Sequence, residues 1–157
     1  GQRMQVTSLQ MAEVAAAIAT GKVVSPRLLL SLNGVTAKGV EASDLGVELA
    51  RIRQGMKAVV ETGTAASAFA SPTVAKLRHQ VFGKTGTANM VNQAGEKRIG
   101  VKGDNNQVVW FVGYLQAGSL PDQPHAVAFA VSISHSSLTG GGHAAKVMAS
   151  LLGSMMT

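Results

Sequence analysis

The chain falls into stretches with different spacing of hydrophobic and polar positions. From Val6 to Gly21 the run LQMAEVAAAIAT is alanine-rich and composed of good helix formers. Thr7-Ser8-Leu9-Gln10 fits a capping box, with Thr7 as N-cap and Gln10 at N3, and Val6 and Met11 hold the positions of a hydrophobic staple. Gly21 closes that helix. RLLLSLNGV, from Arg27 to Val35, predicts an extended segment turning at Asn33-Gly34. A second helix is predicted over Val47 to Glu61, with apolar Leu49, Ile52, Met56 and Val59 spaced by 3, 4 and 3. That stripe leaves Arg51, Arg53 and Lys57 mostly toward solvent. Gly63 ends the helix, and TAASAFA predicts a short one that Ser71-Pro72 breaks.

Beyond His79 the period becomes two. HQVFGKTGTA, Gln107 to Leu115 and His125 to Ser134 predict three strands. The last two are apolar at almost every position, as expected of strands covered on both faces. The turn-rich QAGSLPDQP between them suits an antiparallel hairpin, and Met90 to Asn106 is a polar loop. TGGGHAAKVMASLLGSMM opens on a glycine hinge that would be mobile, then becomes a helix striped by Ala144, Val147, Met148, Leu151, Leu152 and Met155. This helix is expected to pack on the sheet through Val147, Leu151 and Met155. The fold class is α+β, an antiparallel sheet covered by helices with its three strands in chain order.

Composition narrows the function classes. Hydrophobic residues make up 46% of the 157 and charged ones 14%, enough for a packed core. No apolar run reaches the roughly 20 residues that span a bilayer, and the opening Gly1-Gln2-Arg3 carries no signal peptide. That opening suggests a chain cut from something longer, with any anchor upstream. Zero cysteines exclude disulfides and thiolate metal sites. The net charge of +6 favours anionic partners, but one Trp, one Tyr and four Phe give little stacking surface for nucleic acid. The basic clusters Arg51/Arg53/Lys57 and Lys97/Arg98/Lys102 read as solvated faces. His79, His125, His135 and His143 show no metal-ligand spacing, so neither metal nor cofactor is expected. His143 reads as a loop residue and Trp110 as core. Glu61, Asp44 and Asp104 have no partner in the sequence for acid–base work.

One lysine stands out, in VFGKTGTANM. A phosphate-binding loop needs G-x-x-x-x-G-K-[ST], yet the position for its first glycine is Arg78, and no helix follows. Read as a strand, Lys84 beside the hydroxyls of Thr85 and Thr87 can hold a carboxylate by charge-assisted hydrogen bonds. Gly86 leaves room for a close approach, and a strand edge can pair with an extended peptide.

In order along the chain, GQRMQVTSLQMAEVAAAIATG, IRQGMKAVVETGTAASAF, VFGKTGTA, WFVGYL, VAFAVSI and GGGHAA make it resemble the C-terminal part of a penicillin-binding protein transpeptidase domain of class B kind. The resemblance implies a β-lactamase/transpeptidase-like fold and a serine acyl-enzyme D,D-transpeptidase of peptidoglycan crosslinking. Lys84, Thr85, Gly86 and Thr87 would bind the penicillin, with Lys84 and Thr87 catalytic. Lys84 would support a second-motif serine, and the Thr87 N–H would be one oxyanion donor. The implied partners are the stem peptide, β-lactams and the rest of the domain. The implied place is the extracytoplasmic, periplasmic face of the bacterial inner membrane.

The chain departs from the family pattern at the nucleophile. It has no S-x-x-K; Thr73-Val74-Ala75-Lys76 has only the spacing, and Ser31-Leu32-Asn33 falls after the helix it should precede and reads as a turn. The nucleophile is therefore expected upstream of Gly1, leaving residues 1–157 as one part of a single domain and inactive alone. Two alternatives share the residues: a β-lactam-hydrolysing or sensing relative, and a non-catalytic cell-wall scaffold. Gly140 to Gly142 would border the cleft.

Overall fold

The computed structural model describes residues 4–37, 39, 41–89 and 107–156. Helix α1 (Ser8–Thr20) leads to a two-stranded hairpin, β1 (Ser31–Leu32) and β2 (Val35–Thr36). Helix α2 (Ala50–Glu61), a 3-10 helix (Ala66–Phe69) and short α3 (Pro72–Ala75) follow. Strands β3 (Val81–Asn89), β4 (Gln107–Leu115) and β5 (Val127–Ser134) then precede α4 (Ala144–Ser154). The arrangement is α+β, as the sequence predicts. The loop from Met90 to Asn106, with Lys97, Arg98, Lys102 and Asp104, lies outside the described residues.

The local chemistry of α1 accounts for its limits. Gln10 N–H donates to Thr7 Oγ1 at 3.2 Å while Thr7 N–H donates to Gln10 Oε1 at 2.9 Å, so two orphan donors are satisfied reciprocally. At the other end Gly21 takes φ 76° and donates its N–H to Ala17 O. Asn33 and Gly34 both have positive φ, 50° and 80°, as a two-residue hairpin turn requires. Ser31-Leu32-Asn33 thus lies exposed at the hairpin tip.

Strands β3, β4 and β5 are antiparallel and lie in chain order, with Lys84 opposite Val112 and Val112 opposite Ala130. Alternation sends Val109, Phe111 and Leu115 to one face. There they join Phe69, Leu77, Val81, Phe129 and the α4 residues Ala145, Met148 and Leu152 in the core. The other face, marked by Trp110 and its partner Ser132, lies under α1; Ser8 Oγ is 3.0 Å from Ser132 Oγ. Phe82 stacks on Tyr114 across the β3–β4 pair, with ring centroids 4.7 Å apart.

Three helix and strand expectations need correction. Helix α4 does not pack through Val147, Leu151 and Met155, which are 46%, 52% and 49% exposed. It buries Ala144, Ala145, Met148, Ala149 and Leu152, because the small alanines allow close approach to the 3-10 helix and sheet. Helix α2 is rotated in the same sense: Ile52 is exposed, while Leu49, Met56 and Val60 are buried. Arg53 turns inward rather than to solvent, and its Nε donates to Ile18 O at 2.8 Å at the negative end of α1. Finally, β5 is an outer strand of the three, and five of its eight residues remain partly covered or buried while the other three are exposed.

Candidate functional site

Lys84, Thr85, Gly86 and Thr87 lie on β3, the other outer strand of this sheet, and among the described residues no helix N-terminus forms a phosphate cradle there. Alternation divides them. Lys84 and Gly86 belong to the face shared with Val112 and Trp110; Thr85 and Thr87 belong to the face of Phe111 and Val109. Lys84 is exposed and its Nζ donates to the Thr85 carbonyl at 2.6 Å. This keeps the ammonium folded back along the strand.

The glycines of this stretch have packing causes. A Cβ at Gly83 would enter the Phe111 ring, so this glycine admits a core aromatic rather than a phosphate. A Cβ at Gly86 would meet Trp110 Cβ at 3.3 Å, which sets that strand tightly on its neighbour.

Two segments distant in sequence are applied to the Thr85/Thr87 side. Thr64, just past α2, places its Oγ1 2.6 Å from Thr85 Oγ1. Gly140 donates its N–H to Thr87 Oγ1 at 3.2 Å. A Cβ on Gly140 would stand 2.5 Å from Gly86 O and 2.6 Å from Trp110 O, and one on Gly141 would strike the Thr64 carbonyl. The triple glycine therefore borders these residues, as expected, and Gly140 and Gly141 are buried packing elements. His143 Nδ1 lies 3.0 Å from the buried Ser136 Oγ, which also accepts from Leu138 N–H, so the histidine clips the same loop.

The turn carrying Thr64 is itself fastened. Gly63 and Thr62 N–H both donate to Ala58 O, and Ala65 N–H donates to Val59 O. Arg78 Nη2 donates to Glu61 O, and His79 Nδ1 is 2.6 Å from Glu61 Oε1, with Lys57 Nζ at 3.8 Å. Glu61 is thus not isolated, contrary to the sequence expectation; the hydrogen bond from His79 is the main cause holding its carboxyl below the ordinary glutamate range. Thr64 is not among the site residues that the sequence suggests. The available signal was a hydroxyl flanked by Gly63 and Ala65 where a helix ends.

The remaining expectations fall elsewhere. Thr73 and Lys76 are exposed around α3. An open depression of about 510 Å³ between α3 and α4 is lined by Ser71, Thr73, Lys146 and Ser150 and includes none of the β3 residues. Among the described residues no group of three His, Cys, Asp or Glu side chains could hold a metal, and no helix is long and apolar enough to cross a membrane.

Compared with known families, residues 1–153 match the model of the penicillin binding protein transpeptidase domain. No curated protein matches the chain.

Proposed function

Because the chain belongs to the penicillin-binding protein transpeptidase family, we propose that it supplies the Lys-Thr-Gly wall of a serine D,D-transpeptidase that crosslinks peptidoglycan. Enzymes of this family are acyl-transferases that act outside the cytoplasm and bind stem peptides and β-lactams. One observation carries the finer reading: Lys84, Thr85 and Thr87 lie within four residues of one outer strand, the two hydroxyls on one face, with Lys84 and Thr87 exposed and Thr85 half-buried.

In this reading Thr85 and Thr87 donate to the carboxylate of a penicillin or of a stem peptide, and Lys84 adds the positive charge that such an anion needs. The outer edge of β3 pairs with the extended peptide, while Gly86 lets the strand lie close on Trp110. The Thr87 N–H is one of the two donors for the oxyanion that forms when the acyl carbonyl is attacked. Lys84 also supports the second-motif serine electrostatically. That serine, the nucleophile, its lysine base and any membrane anchor belong to a part of the domain outside residues 1–157. The chain alone is inactive, because acylation needs all these groups in one place. The complete enzyme works on the periplasmic face of the bacterial inner membrane.

Acylation of the complete protein by a labelled penicillin tests the reading. Lys84→Ala should slow acylation about 10- to 150-fold, the equivalent of a charged hydrogen bond of about 1.5–3 kcal/mol, with an unchanged melting temperature. Label that is taken up and rapidly released would favour a hydrolysing relative. No uptake at all would favour a non-catalytic scaffold.

A further inference from the structure

We infer that Thr64 is a positioning residue of the carboxylate site: it orients the Thr85 hydroxyl so that its proton is presented to the ligand anion. The inference rests on the transpeptidase reading above and adds to it a residue 21 positions upstream of Thr85. Each threonine hydroxyl offers one donor and two acceptor lone pairs. Two hydroxyls 2.6 Å apart share one proton between them, which leaves the second proton free to point outward. An anion beside Thr85 selects the arrangement in which Thr64 donates to Thr85 and Thr85 donates to the anion, a chain in which each bond polarises the next.

The neighbouring hydroxyl is prepared in a parallel way. Gly140 N–H occupies a lone pair of Thr87 Oγ1, so the Thr87 proton is also left for a ligand. Thr85 and Thr87 lie two residues apart on one strand face, about 6.6 Å along the chain, a span that the two oxygens of one carboxylate can bridge. Thr64 is not held in place by Thr85 alone. Its carbonyl lies flush against Gly141, and the turn before it is tied to α2 through Ala58 O. A hydroxyl fixed from behind in this way is a template for Thr85.

The complete transpeptidase domain, reacted with a penicillin and with the methyl ester of the same penicillin, separates positioning from mere stapling. Thr64→Val should lower the acylation efficiency of the free acid about 5- to 10-fold, mainly through weaker initial binding, and that of the ester less than about twofold. Thr64→Ser, which keeps the hydroxyl, should restore the acid reaction. In a Thr85→Val background, Thr64→Val should add less than about twofold, since the residue it acts through is gone. A stem-peptide substrate with its terminal carboxylate, compared with its amide, gives the same comparison for the natural ligand. Thr64→Ala serves if the valine variant does not fold. Equal losses for acid and ester, or no loss for the acid while the wild type acylates normally, would overturn the positioning role and leave the transpeptidase reading standing. A wild-type domain that takes up no penicillin would overturn both.

Discussion

Gly140→Ala is the substitution with the most sharply defined consequence. An added methyl would stand 2.5 Å from Gly86 O, 2.6 Å from Trp110 O and 2.9 Å from Gly86 N. All three are backbone atoms of paired strands, so no side chain can swing aside. The 140–142 loop must lift instead, and overpacking of this kind costs about 1–3 kcal/mol. Lifting it also removes the Gly140 N–H bond to Thr87 Oγ1, worth a further 0.5–1.5 kcal/mol or so. At roughly 2–4 °C per kcal/mol for a domain of this size, the melting temperature should fall by several degrees. Gly55→Ala is the matched control: its Cβ would meet nothing within 4 Å in the middle of α2, and alanine should stabilise that helix by about 0.5–1 kcal/mol. Thermal unfolding by circular dichroism reads both. A Gly140→Ala protein that melts with the wild type would refute the close approach of the glycine loop to β3.

Two further outcomes follow from the corrected helix face and from the Glu61 cluster. Leu152→Ala should destabilise by about 2–5 kcal/mol, whereas Leu151→Ala, half-exposed, should cost less than about 1 kcal/mol; chemical denaturation compares them, and the reverse order would restore the face that the sequence suggests. The Glu61 carboxyl is held below its ordinary range first by the His79 hydrogen bond, so its contribution is fully present above about pH 4.3 and is lost as pH falls through the lowered value. Glu61→Gln should therefore flatten the acid limb of a melting-temperature profile below that pH, and parallel profiles would show that the pair contributes nothing.

Much of the fold was legible because its signals are local. The Thr7–Gln10 box and the Asn33-Gly34 turn are short-range chemistry, and β4 was bounded as Gln107 to Leu115 by its unbroken apolar run. The rotation of α4 was not legible. A stripe weighted by large side chains favours Val147 and Leu151, while the packing is decided by how closely Ala145 and Ala149 let the helix approach. Arg53 misled for a similar reason, since a charged residue off the stripe gave no hint that the end of α1 would come to meet it. At the site, Lys84 to Thr87 could be read as a strand with two hydroxyls on one face. The contacts of Thr64 and Gly140 with that strand span 21 and 53 residues and leave no periodic trace.

The central claim is that Lys84, Thr85 and Thr87 form the carboxylate-binding wall of an acylation site whose nucleophile lies outside these 157 residues. Mass spectrometry of the complete protein after incubation with a β-lactam, with the modified peptide sequenced, tests it most directly. The account predicts one covalent adduct on a serine outside residues 1–157 and none on the isolated chain. An adduct on the isolated chain, mapped to any of its own serines, would contradict it.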